Sequence, residues 1–321
     1  MEQLGLDGMP RRLYTCTPSR LNTWLDCRRR YRFTYLDRPA PQKGPPWAHN
    51  SVGASVHNAL AAWWREPYDR RTPVMAAVLL TNGWIREGFR DEEQSAAWRD
   101  RAREMVSSYV ATLDPGDEPV GVERTVATRT SVIAVSGRVD RLDRRGDELV
   151  VVDYKTGRRP PTSDDARSSI ALAVYAIASS RMMRRACRRV ELHHLPTETV
   201  AEWEHTDESL ARHLSRAEDI ATEAADADDA YREWAGPTKG GVPAPRREEG
   251  AGALAVPPEI DRLFPPEPGP ICSWCDFRRH CPEGRAASPD RLPWDGLAET
   301  PGSSGLSPAQ GRDGGEDRPA P

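Results

Sequence analysis

The segment Val150-Val151-Val152-Asp153-Tyr154-Lys155-Thr156-Gly157 constrains the fold more than any other part of the chain. Its apolar run reads as a strand ending in a carboxylate and an amine two residues apart. Strand side chains alternate faces, so Asp153 and Lys155 point the same way, about 6–7 Å apart, while Val150, Val152 and Tyr154 point the other. Lys155 is also unusual in kind: of 45 Lys and Arg residues, only Lys43, Lys155 and Lys239 are lysines. A compact ammonium kept amid so much guanidinium points to a role that arginine does not fill. The segment alone has two readings: a hydrolytic metal site, or a strand end with a surface ion pair.

Its neighbours extend the sheet. Residues 123–130, 131–143 and 148–156 alternate as strands, and Arg144-Arg145-Gly146-Asp147 is a hairpin turn. Gly137-Arg138-Val139-Asp140-Arg141-Leu142-Asp143 ends the strand before the turn. Pairing across that turn places Asp140 and Asp153 near one end of the sheet, where two carboxylates can share a divalent ion such as Mg²⁺ with water and substrate phosphate. A lone strand-end Asp more often caps a turn, a reading that suits Asp143 better than Asp140.

The preceding part of the chain is helical. Thr17-Pro18-Ser19 combines a hydroxyl cap with a first-turn proline and opens a helix carrying Leu21, Trp24, Leu25, Tyr31 and Tyr35 at helical spacing. A second helix spans residues 51–65, with Gly53, Val56, His57, Leu60 and Trp64 on one side, and two more fill residues 73–112, joined near Asp91. After the lysine strand a helix runs over residues 164–185, followed by strands at 189–194 and 199–204 and a polar helix at 207–234. The chain divides into an irregular lead-in (1–16), an ordered domain (17–285) and a disordered tail (286–321). Within the domain, residues 17–115 are helical, 120–205 form the sheet-bearing core and the Gly/Pro-rich stretch 236–258 is a mobile insertion. No internal repeat is visible.

A hydrophobic fraction of 38% with 29 Pro and 24 Gly allows one substantial core with insertions, or two smaller ones. A net charge of −4 excludes a globally basic nucleic-acid coat. Local basic clusters exist at Arg28-Arg29-Arg30 with Arg32, and at Arg181, Arg184, Arg185, Arg188 and Arg189; each alone reads as a solvated helix face. The chain shows no signal-peptide pattern and no membrane span, so a cytoplasmic protein is expected, with cysteines as metal ligands or buried thiols.

Those cysteines are concentrated. Cys272-Ser273-Trp274-Cys275-Asp276-Phe277-Arg278-Arg279-His280-Cys281 holds three thiols, with Cys27, Cys16 or Cys187 available as a fourth ligand. Zinc and an iron–sulfur cluster both accept four thiolates, and His280 is an alternative zinc ligand.

Taken in order, Ser19-Arg20-Leu21 with Cys27, Gly53-x3-His57, Gly137-Arg138-Val139-Asp140, Asp153-Tyr154-Lys155-Thr156-Gly157, Tyr175, and Cys272, Cys275 and Cys281 form a recognisable series. Over residues 15–285 the chain resembles the RecB-like branch of the PD-(D/E)XK nuclease superfamily. Within that branch it is similar to the members with an iron–sulfur clasp, such as AddB-type nuclease domains and CRISPR-adaptation nucleases. The resemblance implies an α/β restriction-endonuclease-like core, a central mixed β-sheet flanked by helices, with a helical N-terminal region and a four-Cys clasp joining the two ends. It implies a deoxyribonuclease, acting as an exonuclease on single-stranded or end-bearing DNA in repair and recombination. Asp140, Asp153 and Lys155 would be catalytic. His57, Asp140, Asp153 and the Tyr154 carbonyl would hold Mg²⁺ or Mn²⁺, with Glu123 a further acidic candidate. Cys27, Cys272, Cys275 and Cys281 would hold a 4Fe-4S cluster, leaving Cys16 and Cys187 free. Tyr175, Arg28 and Arg30 would contact DNA. The chain departs from the family at Ala171, where relatives carry the glutamine of a Gln-x3-Tyr motif; Arg167, Ser168 or Ser169 would take over its contact. The alternative is a weak or inactive iron–sulfur module that grips single strands. No helicase motif occurs, so coupling to unwinding would need a separate helicase.

Overall fold

The computed structural model describes residues 13–236, 238–239, 242–243 and 256–297. Strand β3 (Ile133–Arg145), 13 residues long, organises the sheet. Along one edge it pairs antiparallel with β2 (Gly121–Arg129), from Arg129↔Ala134 to Gly121↔Leu142. Its other edge is shared by two strands. β1 (Tyr14–Cys16) runs parallel to Ile133–Val135, and β4 (Glu148–Lys155) runs antiparallel to Arg141–Arg145. Residues 136–140 therefore face a fork between β1 and β4. Beyond Val152, β4 leaves β3 and pairs only with β5 (Cys187–His194), in parallel, as Asp153↔Leu192, Tyr154↔His193 and Lys155↔His194. β6 (Thr199–Glu204) closes the sheet antiparallel to β5.

Helices cover both faces. Val150, Val152 and Tyr154 pack under α3 (Ala48–Trp63), α4 (Pro73–Asn82) and α5 (Glu92–Ala111). Leu149 and Val151 lie on the opposite face, among Leu172, Ala176 and Ala178 of α7 (Ile170–Met183), the crossover helix between the parallel strands. Burial on both faces explains why the run is continuously apolar rather than alternating. A third cluster covers the β1 end of the sheet, against Cys16, Ile133 and Val135. There α1 (Pro18–Asp26), α2 (Arg28–Tyr35) and the 29-residue α8 (Asp207–Ala235) enclose Leu21, Trp24, Tyr31, Ile220 and Phe264.

Helix starts follow their caps. The hydroxyls of Thr17, Thr72, Ser169 and Thr206 accept the N–H of Arg20, Met75, Leu172 and Ser209, and the Asp91 carboxylate accepts that of Gln94. Thr162 and Asp165 form a reciprocal capping box on α6 (Ser163–Ser168).

Four expectations are corrected. The helix expected through residues 17–35 breaks at Cys27, whose extended backbone (φ −172°, ψ 114°) ends α1, while its Sγ caps α2 by accepting the Arg30 N–H at 3.4 Å. The helix expected over 164–185 breaks likewise at Ser169, which caps α7 with its own hydroxyl. The lead-in is not irregular at its end, because β1 finds a parallel partner in β3. The tail is ordered at its start: α10 (Pro282–Ala287) extends past residue 285, and Leu297 is buried with Ala48 and Val52. The mobile insertion at 236–258 lies largely outside the described residues, apart from its ends and a short ladder of β7 (Thr238–Lys239) with β8 (Val242–Pro243). The tail beyond residue 297 lies outside them as well. No described helix is long and apolar enough to cross a membrane.

Candidate metal centre

The fork in the sheet opens a ladder position that would otherwise be filled by backbone. Where β4 parts from β3, the Tyr154 N–H loses its strand partner, and Asp140 Oδ2 accepts it at 2.8 Å. The other carboxylate oxygen, Oδ1, faces His57 Nδ1 at 3.4 Å. His57 reaches this position because α3 lies close to the end of β4. A Cβ on Gly53, one turn before His57, would stand 3.3 Å from Thr156 Oγ1. Gly137 serves the opposite wall, since a Cβ there would overlap the Tyr175 ring. The two motif glycines thus set how closely α3 and α7 approach the fork.

Glu123 completes the group. One ligand atom each from His57, Glu123 and Asp140 lies within 4.8 Å of the other two. Glu123 sits in the left-handed backbone region (φ 49°) inside β2, and its carboxylate pairs with Arg138 Nε at 2.6 Å. A non-glycine residue there costs on the order of 1–3 kcal/mol and persists only where the surroundings enforce it.

Asp153 and Lys155 stand on the adjoining side, paired at 2.6 Å between Oδ2 and Nζ. They line a second cleft with Asn22, Arg159 and Ala171, which meets the first at Gly157. The larger cleft, about 840 Å³, contains His57, Glu123, Asp140 and Tyr175, with Arg138 and Arg158 also lining it. The two clefts are coupled electrostatically. Burial raises the Asp153 carboxyl, Lys155 opposes the rise and the Asp140 charge adds to it. Burial also raises Glu123, with Arg138 opposing and Asp140 reinforcing. At His57 burial disfavours the imidazolium, but the Asp140 hydrogen bond and the charges of Asp140, Asp153 and Glu123 outweigh it, so the ring titrates above the usual value. Tyr175 is raised by burial and by Asp153 and Asp140. Burial, rather than repulsion between carboxylates, is what raises Asp153 and Glu123, since at each the nearby cation counts for more than Asp140.

The four expected cysteine ligands line one pocket, with Phe33, Ile271 and Phe277. Backbone N–H groups of Arg30 and Gly284 donate to Cys27 and Cys281 Sγ, each at 3.4 Å. Gly284 packs beside Cys272 and Cys281, where a Cβ would meet both Sγ atoms at 3.4 Å. Cys16 and Cys187 are elsewhere, in two apolar cores where burial pushes them up to about 11 and about 12. The alternative ligand His280 instead bonds the Gln42 carbonyl at 2.9 Å.

Several residues expected to contact DNA have partners within the chain. Arg28 pairs with Glu223 at 2.7 Å and Arg30 with Asp26 at 3.6 Å, so neither cation is unpaired. In the second basic cluster, Arg185, Arg188 and Arg189 likewise pair with Asp147, Asp207 and Glu202. The residues expected to replace the missing glutamine are engaged: Arg167 with Asp164, the Ser168 hydroxyl with the Asp164 carbonyl, and Ser169 with the α7 N-terminus. Asn22, which the sequence reading missed, is the amide side chain that shares a cleft with Ala171 and Lys155. Its only signal was its place beside Ser19-Arg20-Leu21.

The sequence model of the PD-(D/E)XK nuclease superfamily matches residues 15–282. No curated protein matches the chain. Among solved structures, a candidate exonuclease from Eubacterium rectale is 9% identical, with a TM-score of 0.43 over 68% of this chain and 83% of that one. The protein SSO0001 is 12% identical, with a TM-score of 0.35 over 86% and 90%.

Proposed function

Because this chain belongs to the PD-(D/E)XK nuclease superfamily, we propose that the forked sheet is a metal-dependent deoxyribonuclease centre, acting as an exonuclease on single-stranded or end-bearing DNA in repair or recombination. The observation that carries this reading is the convergence of His57, Glu123 and Asp140 beside the Asp153–Lys155 pair. One imidazole and two converging carboxylates are a donor set that fits a hard divalent cation. His57, Glu123 and Asp140 would hold Mg²⁺ or Mn²⁺, with Asp153 and the Tyr154 carbonyl bordering the site. When bound, such an ion lowers the pKa of water and neutralises charge on the phosphate.

The remaining steps belong to the chain's own groups. Asp153 fixes Lys155 so that its ammonium can orient the attacking water. Arg138 and Arg158 supply positive charge in the cleft for the phosphates on either side of the bond being cut. Asn22 offers the amide that Ala171 lacks, and Tyr175, held on Gly137, offers a ring against which a nucleotide can rest. The Cys27, Cys272, Cys275 and Cys281 pocket fits a 4Fe-4S cluster. Its four sulfurs and two N–H···S bonds support reading the protein as one of the clasp-bearing RecB-like branch, with a helicase as a separate partner.

Mg²⁺- or Mn²⁺-dependent release of label from single-stranded DNA tests this reading, with wild type compared against Lys155→Ala. Loss of at least 100-fold in the variant is expected. Equal rates would remove the catalytic assignment. If neither protein cuts but both bind strands, the second reading, a gripping module favoured by Ala171, replaces it.

A further inference from the structure

Beyond the clefts at the fork, helix α8 and strand β6 enclose a separate pocket of about 420 Å³. Ser209, Arg212 and Arg216 stand on one stripe of α8 at helical spacing, and Arg167 reaches the same space from α6. No carboxylate is among the residues lining it. Arg167 is paired with Asp164 at 2.9 Å and lies over the Trp203 ring at 5.5 Å. Arg212 and Arg216 are exposed and form no ion pair within 4.0 Å among the described residues, with Glu208, four residues before Arg212, interacting with it at longer range. The pocket therefore gathers three guanidinium groups, two of them without a salt-bridge partner.

Two polar atoms add an independent sign. His205 is 1% exposed, and its Nδ1 bonds Ser209 Oγ at 2.8 Å, while its buried Nε2 has no partner. With the serine hydroxyl donating to Nδ1, the tautomer places a proton on Nε2. The buried indole N–H of Trp203 is likewise unpartnered. Buried donors without acceptors cost on the order of 1–3 kcal/mol each, which an occupant that accepts hydrogen bonds would recover. His213 stands edge-on to His205, its own Nε2 engaged by the Arg167 carbonyl at 3.0 Å. Burial and His213 push His205 down to about 4, so it meets an occupant as a neutral donor.

We infer that this pocket binds a phosphoryl group, with Arg212 and Arg216 supplying the charge and the His205 and Trp203 N–H groups the directional hydrogen bonds. Planar guanidinium forks match phosphate oxygens in number and geometry. Helix α6 links the pocket to the proposed active site, because Asp165 and the following Ser169 line the Lys155 cleft while Arg167 lines this one. The phosphate could belong to the nucleic-acid strand engaged at that site, an identification that rests on the nuclease reading, or to a free mononucleotide; the phosphoryl chemistry is the same.

The test separates these sources and needs no catalysis. Anisotropy of a labelled oligothymidylate, titrated in EDTA across a range of salt, compares wild type with Arg212→Gln/Arg216→Gln. Calorimetry with thymidine monophosphate and with inorganic phosphate forms the second arm. If a strand occupies the pocket, the double variant binds about 10-fold more weakly at about 100 mM salt, and its log–log salt slope is shallower by about 1.4, or roughly 0.7 per lost phosphate contact. If a free phosphate occupies it, strand affinity is unchanged while binding of the monophosphate or phosphate, seen with wild type, is lost. A double variant that matches wild type in both arms overturns the inference. Label release in Mg²⁺ by wild type and by the double variant is read separately from binding, so failure of the nuclease reading is distinguishable from failure of this one.

Discussion

Glu123 shows how one residue can report a function through the strain it bears. Its left-handed backbone inside a strand is unfavourable for any side chain except glycine's, yet it delivers a carboxylate beside His57 and Asp140. Glu123→Gly should therefore raise stability by about 1 kcal/mol in urea unfolding and lower metal-dependent cleavage at least 10-fold. A variant that is both less stable and fully active would contradict the role assigned to Glu123. Glu191 reports its surroundings in a different way, through charge. It is 2% exposed, and although burial favours its neutral form, His193 at 2.9 Å and Arg145 at 2.8 Å hold its carboxyl down at about 2, from 4.5. Its folded pKa lies below its unfolded one, so the stability it contributes is complete above about pH 4.5. That stability is lost as pH falls toward 2. Wild type should lose about 3 kcal/mol through that window relative to Glu191→Gln. Parallel acid-unfolding curves for the two would refute the linkage.

At the scale of elements, the strands and most helices were legible because periodicity reports burial. The parity argument set Asp153 and Lys155 on one face, and their ion pair at 2.6 Å agrees with it. The fork was not legible, because sharing one edge of β3 between β1 and β4 depends on a three-residue strand too short to carry a pattern. For the same reason Asp140 was expected as a partner of Asp153 across a hairpin, whereas it also accepts the Tyr154 N–H that the fork releases. Glu123 was underweighted because alternation along a strand gives no hint of a left-handed residue. The break at Cys27 was missed because Leu21, Trp24 and Tyr31 keep helical spacing across it. The fork also predicts where substitutions hurt. Leu142→Ala, at a fully buried position where β2 and β4 flank β3, should cost 2–5 kcal/mol in denaturant unfolding. Gly137→Ala should cost about 1–3 kcal/mol, by pressing a methyl into Tyr175, and should lower cleavage as well. If Gly137→Ala were as active and stable as wild type, Tyr175 would have no fixed seat in the site.

Across the whole molecule, the segment after residue 256 wraps back onto the first helices. Arg29 meets Asp261 and Glu283, Arg32 meets Asp261, and the Gly44 N–H reaches the Asp276 carbonyl at 2.7 Å. The four-cysteine pocket lies within this seam, so a cluster there would cross-link the chain's distant ends. On the loop-entropy treatment of cross-links such a closure is worth about 5 kcal/mol. Cys272→Ser, purified without air, should lose the broad absorbance near about 400 nm expected of 4Fe-4S proteins and melt at least about 10 °C lower. A colourless wild type with zinc bound would assign the pocket to a different metal. Sequence spacing alone could not choose among Cys16, Cys27 and Cys187; in the fold Cys27 lines the pocket of the other three, while Cys16 and Cys187 lie in separate cores. The central claim, that the fork is a metal nuclease centre, is tested most directly by the initial rate of label release from single-stranded DNA as Mg²⁺ is raised, for wild type and Asp140→Asn. The account predicts a saturable Mg²⁺ dependence in wild type and a rate at least 100-fold lower in the variant at saturation. Identical Mg²⁺ curves for the two proteins would contradict it.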